Sequence, residues 1–372
     1  MSKSNLSRRV LLSSAGALGL AALAGPAARG QTPAGDFAVV EGAVASLAGV
    51  KRVIIANFVC AFQLDGAVRK DNATRFGNLV LGGGNAREVA AQMVWQNPDT
   101  AIMQSIADEG LAALKADLRA KGIEVLDEAL LAAQPAYASI LTGTGLTNHG
   151  TYTVLNITDN SGTGALNDLD HNGTVQVVGA TGLPPYNLSP FEGSTCCYLN
   201  GKTYPSKTAY YAPGWEIEIG KALDCVVIKA WQFINFTQIS GGVVRNGWAG
   251  GVGGSTVEFS ATAQSAVRFR EEKTRLSFRL PTSTNAKRVV RSMGPKDGDV
   301  IVTLARPVLV GSQYYEVAST GATAGQSLRA SLGGTTHFNF AATLSDAAAY
   351  RKDVGLRMSG VLKGLVGAAF GG

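Results

Sequence analysis

Asp168, Asp170 and Asn172 place oxygen-bearing side chains at alternate positions, with Gly173 next and the apolar Val175 two places beyond. This is the first half of a calcium loop, where alternating carboxylates and amides aim oxygens at one point and the glycine makes the sharp turn. The bidentate glutamate that closes such a loop is missing, because Gly179 holds the twelfth position. An Asn- and Asp-rich turn whose side chains bond their own backbone has the same composition. The sequence nominates Asp168, Asp170 and Asn172 as calcium ligands, the one cofactor it suggests, and leaves a plain turn as the alternative. A second concentration of chemistry is aromatic: Tyr186, Phe191, Tyr198, Tyr204, Tyr210, Tyr211 and Trp215, interleaved with five prolines from Pro184 to Pro213. Rings and prolines in a stretch of low charge make a contact surface for carbohydrate, lipid or protein. The competing expectation is that the rings plug a joint between two halves of the chain.

Other constellations fail on spacing. His149, His171 and His337 stand far apart, and adjacent Cys196 and Cys197 lack a second ligand pair, so no zinc pattern forms. Cys60 lies inside one apolar run and Cys225 opens another, as small core residues do. A disulfide between neighbouring cysteines is strained, and a bridge from Cys196 or Cys197 to Cys60 or Cys225 stays open. Gly82-Gly83-Gly84 and Gly250-Gly251-Val252-Gly253-Gly254 lack both the Gly-Lys-Ser/Thr of a phosphate loop and the spaced glycines of a dinucleotide fold. They read as flexible loops. There is no Gly-x-Ser-x-Gly elbow, and spacing nominates no catalytic triad.

The elements that must position these residues follow from periodicity. Val50 to Phe62 is apolar on both faces, the mark of a central strand covered on both sides. A short helical stretch is expected near Ala86 to Trp95. Pro98-Asp99 opens a stronger helix with Ile102, Met103, Ile106, Leu111, Leu114 and Leu118 at helical spacing, stopping at Gly122. Ile123 to Leu126 reads as a second strand, and Asp127 as the cap of a helix running to about Leu141. This alternation predicts an α/β domain over 31–141. From 142 to 340 the chain is richer in loops and strands and is expected to pack on that domain; Asn148 to Pro213 reads as loops and short strands, and a helical or mixed stretch spans Trp215 to Leu223. Strands are expected at Cys225–Phe236, Ala266–Phe269, Arg275–Leu280, Val300–Leu309 and Tyr314–Val317. Residues 341–372 form an amphipathic carboxyl helix, with Leu344, Ala348, Val354, Met358, Val361, Leu365 and Val366 opposite Arg351, Lys352, Arg357 and Lys363. The fold class is α/β, or α+β taken whole: a mixed sheet with helices in the first half, a strand-rich second half and that final helix. If the helix serves association through Gly360 and Gly364, or docks on a membrane, a truncation after Phe340 stays folded and loses assembly or envelope retention.

The first thirty residues read as an address. Ser7-Arg8-Arg9-Val10-Leu11-Leu12 precedes an apolar run from Ala15 to Ala24 and then Pro26-Ala27-Ala28, which suits a twin-arginine export signal cleaved between Ala24 and Gln31. Leu11 and Ser13 stand where that signal usually has Phe and Lys. A membrane anchor needs roughly twenty apolar residues, and this run is too short. Pro26 stands where a lipoprotein signal needs cysteine, which argues against an acylated anchor. Removing 1–30 takes away Lys3, Arg8, Arg9 and Arg29 and no acid, so the formal charge falls from +6 to +2. The mature chain lacks a run of Lys or Arg, and nucleic acid is not an expected partner. With 46% apolar and 16% charged residues it can bury a large core.

The strand KRVIIANFVCAF, the helix DTAIMQSIADEGLAALKADLRAKG and the closing IEVLDEALL resemble the α/β domain shared by the curli-secretion lipoproteins and the amino-terminal domain of the periplasmic Tol translocation protein. The resemblance covers about 51–141 and carries no catalytic signature. It implies a non-enzymatic envelope role in assembly, secretion or scaffolding. Two features depart from it: there is no lipidation cysteine, and the second half has no counterpart. The first expectation is a non-catalytic periplasmic or envelope-associated protein that binds an envelope partner or itself, with peripheral membrane contact open. The alternatives are a periplasmic hydrolase with its site in the aromatic middle, and a small-molecule or lipid carrier. A hydrolase needs a cleft with converging polar groups, a carrier a large dry pocket, and an assembly protein an exposed interface.

Overall fold

A computed structural model of the chain describes residues 37–71, 88–144, 151–155, 174–186, 198–199, 202–203, 206–245, 257–271, 273–284, 298–319 and 335–371. At its centre lies β2 (Arg52–Gln63), buried from Val53 to Gln63. Both of its faces are apolar, so it is stable only with layers above and below. Its neighbours are the parallel β10 (Val226–Arg245) and the antiparallel β7 (Thr174–Gly179). The sheet runs from β1 (Ala38–Gly42) through β13 (Asp299–Leu304) and β12 (Arg275–Arg279) to β10 and β2. It continues through β7, β6 (Thr151–Leu155), β8 (Tyr198–Leu199) and β9 (Lys202–Thr203). The two-residue β5 (Glu124–Val125) lies beside the start of β2, and β11 (Val257–Phe269) joins β14 (Val308–Gly311) to β10. Strands from either side of residue 142 thus form one hydrogen-bonded layer.

Helices cover both faces. On one, α1 (Thr100–Ala120) and α5 (Ala347–Phe370) pack on each other, α1 over β2 and α5 over β13, β12 and β1. Asp99 caps α1, accepting from the amides of Ala101 at 2.8 Å and Ile102 at 3.2 Å, and Gly122 ends it at φ +75°. The two helices approach closely at Gly110, where a Cβ would lie 2.8 Å from the Met358 and Phe58 side chains. On the opposite face lie α2 (Glu128–Ala132), α3 (Pro135–Thr144) and α4 (Ser206–Leu223).

At Leu64 the chain leaves β2 and turns into a second sheet, ordered β15 (Tyr315–Ser319), β16 (Thr335–Leu344), β4 (Glu88–Gln96) and β3 (Asp65–Asp71). This sheet covers the second half of β10, where Trp95 and Tyr315 meet Phe236 at 5.8 and 5.5 Å between ring centres. The described elements belong to one compact unit, α/β overall, with a strand-rich second half and a carboxyl-terminal helix. Among the described residues no helix is long and apolar enough to cross a membrane.

Several local expectations change. The helix expected near Ala86 to Trp95 is strand β4: Ala91, Met93 and Trp95 point inward while Gln92 and Gln96 are exposed. Alanine and methionine fit either period, and pairing with β3 and β16 decides between them. Asp127 does cap a helix, accepting from the Ala129 amide at 2.8 Å, but the segment breaks before Pro135 into α2 and α3. Helix α4 begins at Ser206 and runs through Pro213, which the sequence reading placed in a loop. Val300–Leu309 is two strands, parted at Arg306-Pro307. The carboxyl helix starts at Ala347, capped by Asp346.

The largest correction concerns what that helix does. Tyr350, Val354, Met358, Val361, Leu362, Leu365, Val366 and Ala369 are buried, so its apolar side is core rather than a surface held for partners. The expectation that a chain cut after Phe340 stays folded does not survive this packing.

Candidate functional site

Where α4 crosses β10 and β12, four charged residues are buried together. Glu216 of α4 is fully buried, and Lys229, Arg279 and Asp299 are 7%, 2% and 4% exposed. Lys229 Nζ lies 3.1 Å from Glu216 Oε1, and Arg279 Nε lies 3.1 Å from Glu216 Oε2. Arg279 also donates to Asp299 through Nη1, and the Ser283 hydroxyl donates to Asp299 at 3.0 Å. Tyr186 closes the cluster, its hydroxyl donating to Glu216 Oε1 at 2.9 Å. Strand alternation explains the meeting: Lys229 on β10 and Arg279 on β12 project from the same sheet face, toward α4. Each charge is taken from water, which is tolerated only with such pairing and hydrogen bonding. The space beside Lys229, Ser277, Arg279 and Asp299 admits no water molecule. Spacing does not nominate these residues; the one signal is an isolated charge inside an apolar strand, as Lys229 is in CVVIKAWQFINF.

A second buried group lies under α5. Trp95, Phe236, Tyr315 and Tyr350 stack edge-to-face or tilted, and the Tyr314 hydroxyl donates to Asp353 at 2.8 Å. Burial pushes the hydroxyl pKa of Tyr314, Tyr315 and Tyr350 above the ordinary tyrosine value, with Asp353 adding to the rise at Tyr314 and Tyr350 to that at Tyr315. The thiol of Cys60 is raised the same way and points at the Met358 sulfur 3.9 Å away, while burial pushes Cys225 up to about 11. Both thiols are free and protonated at neutral pH, as expected of core cysteines. Because the folded state holds the tyrosine protons more tightly than the unfolded chain, stability is full below about pH 10 and falls as pH rises beyond it. Tyr350→Phe is expected to make that alkaline decline shallower in denaturant titrations across pH, and an equal decline in both proteins would remove Tyr350 from the account.

The residues nominated from sequence fare differently. Asp168, Asp170 and Asn172, the calcium candidates, lie outside the described residues, as do Phe191, Tyr204, Cys196 and Cys197. Immediately after these residues, Thr174 is fixed by protein groups: its amide and hydroxyl donate to Asp65 and its carbonyl accepts from Leu64. Tyr198 lies in β8, and Tyr210 and Tyr211 in the first half of α4. Trp215 is half-buried against the core. Tyr186 is 1% exposed and sits edge-on to Tyr137, so this ring is an interior plug rather than a contact surface. Among the described residues no group of three or more His, Cys, Asp or Glu could hold a metal ion.

Two features lie apart from these buried groups, a ribbon covered on one face by the second sheet and an open hollow. Past Ile234, β10 leaves β2 and pairs with β11 alone as far as Arg245, a ribbon with Gln238, Thr262 and Gln264 exposed and Ile239 and Ala263 turned inward. Over the groove between α1 and α5 lies an open hollow of about 540 Å³ lined by Glu109, Arg351, Lys352, Gly355, Leu356 and Ser359. No protein-family model matches the chain, and no curated protein or solved structure matches it.

Proposed function

We propose that the protein is an exported, non-catalytic component of the cell envelope that acts by binding a partner or further copies of itself. The ribbon of β10 and β11 carries this reading. From Gln238 to Arg245 the strand is paired on one side only among the described residues, and over about eight residues it extends roughly 25 Å at 3.3 Å per residue. Unpaired rows of backbone donors and acceptors are what an added strand satisfies. The resemblance of 51–141 to envelope assembly and secretion domains points the same way. The buried charges under α4 are closed against water and paired with one another, so this cluster offers a hydrolase or a carrier no site.

Native mass spectrometry of the mature protein released from its own envelope tests this, with multiples of the chain mass or a fixed protein partner expected. A lone monomer carrying a small molecule of constant mass would replace it with the carrier reading. Export has a separate test: changing Arg8 and Arg9 together to Lys is expected to strand the precursor in the cytoplasm. Undiminished export would assign the general secretory route.

A further inference from the structure

The outer side of the α1–α5 layer differs in charge from the rest of a nearly neutral mature chain. Helix α5 carries Arg351, Lys352, Arg357 and Lys363, all exposed, against Asp353 alone, and Asp353 is turned to the Tyr314 hydroxyl. The facing helix adds Arg119 and Lys121 and opposes them with Glu109 and Asp117. In the middle of this ridge stands Leu356, 65% exposed, the highest value among the exposed large apolar side chains of the described residues. Lys352, Leu356 and Lys363 share one helix face, at spacings of four and seven. Between them Ser359 and Gly360 keep the ridge low, with nothing within 4 Å of where a Gly360 Cβ would lie. The buried side of α5 is occupied by its own core, and among the described residues nothing covers Leu356 on the ridge.

We propose that the ridge of α5 docks on an anionic lipid surface, with Leu356 entering the headgroup boundary, Lys352 and Lys363 on the same helix face pairing with lipid phosphates, and Arg351 and Arg357 flanking them. The occupant is chosen by charge complementarity: two lysines on either side of one protruding apolar side chain, flanked by arginines, match a sheet of anionic headgroups. Each basic side chain near such a surface strengthens attachment about fivefold. Glu109 restrains the site, because its carboxylate holds Arg351, with Nε at 3.0 Å. Gly355 makes that reach possible, since a Cβ there would stand 2.7 Å from the Glu109 carboxylate. The proposal is independent of self-association.

Co-sedimentation of the mature protein with phosphatidylcholine vesicles containing phosphatidylglycerol, against phosphatidylcholine alone, reads it directly. Binding is expected only to the anionic vesicles and is expected to be lost in high salt. Lys352→Glu with Lys363→Glu is expected to weaken it more than tenfold and Leu356→Ser severalfold. Glu109→Gln, which frees Arg351 at little cost to the fold, is expected to strengthen it severalfold. These side chains are exposed, and thermal melting of each variant checks that the fold is kept. Absence of binding, equal binding to both vesicle types, or binding unmoved by the double reversal would overturn the proposal, and retention through a protein partner would then remain to be sought.

Discussion

Removal of α5 is expected to abolish folding. A chain ending at Phe340 loses the end of β16 and the eight α5 side chains buried in the core, from Tyr350 to Ala369. At roughly 1.5–3 kcal/mol for each large apolar side chain, the loss exceeds about 10 kcal/mol, comparable to the whole stability of a typical domain. The deletion also uncovers Phe58 and Cys60 of β2 and Phe278 of β12, which Met358 and Phe370 cover. Near-ultraviolet circular dichroism and a denaturant titration decide the matter. The truncated chain is expected to show neither fixed aromatic packing nor a cooperative transition, whereas a midpoint like that of the full chain would show the helix to be dispensable.

The second large effect is expected at Glu216. Replacing it with alanine leaves Lys229 and Arg279 without the carboxylate that both contact, and Tyr186 without its acceptor. Removing one partner from a buried ionic group costs about 3–5 kcal/mol, because the remaining charges cannot return to water. A fall in melting temperature on the order of 10 °C is expected. Glu216→Ala combined with Lys229→Met is expected to recover part of the loss, since one stranded charge is then gone. If the single variant melts within a degree or two of wild type, the cluster holds nothing together, and its conservative replacement Glu216→Gln becomes uninformative as well.

The strongest periodicities were legible. The unbroken apolar run in VKRVIIANFVCAF is the buried central strand it reads as, and Asp99 and Gly122 bound α1 where cap chemistry puts them. A strand apolar on both faces has no stable place except between two layers, and a side-chain oxygen beside free amides is a local arrangement needing no distant partner. Weaker patterns deceived: AREVAAQMVWQ satisfies both helix and strand spacing, and Pro213 marks a loop in the sequence yet lies within α4.

What the sequence determined by itself was local: the central strand, the capped helices and the strand-rich later half. What only the tertiary structure decided was partnership. Glu216, Lys229, Arg279 and Asp299 lie on four different elements, and only the antiparallel pairing of β12 with β10 and with β13 and the crossing of α4 put their charges within bonding distance. The amphipathic stripe of α5 is equally compatible with a core and with an external interface, because periodicity records that one face is apolar but not what will cover it. Here the sheet and α1 cover it, leaving the basic ridge outside, since burying that side elsewhere would forfeit the contacts of Phe58, Met358 and Phe278 that close the layer.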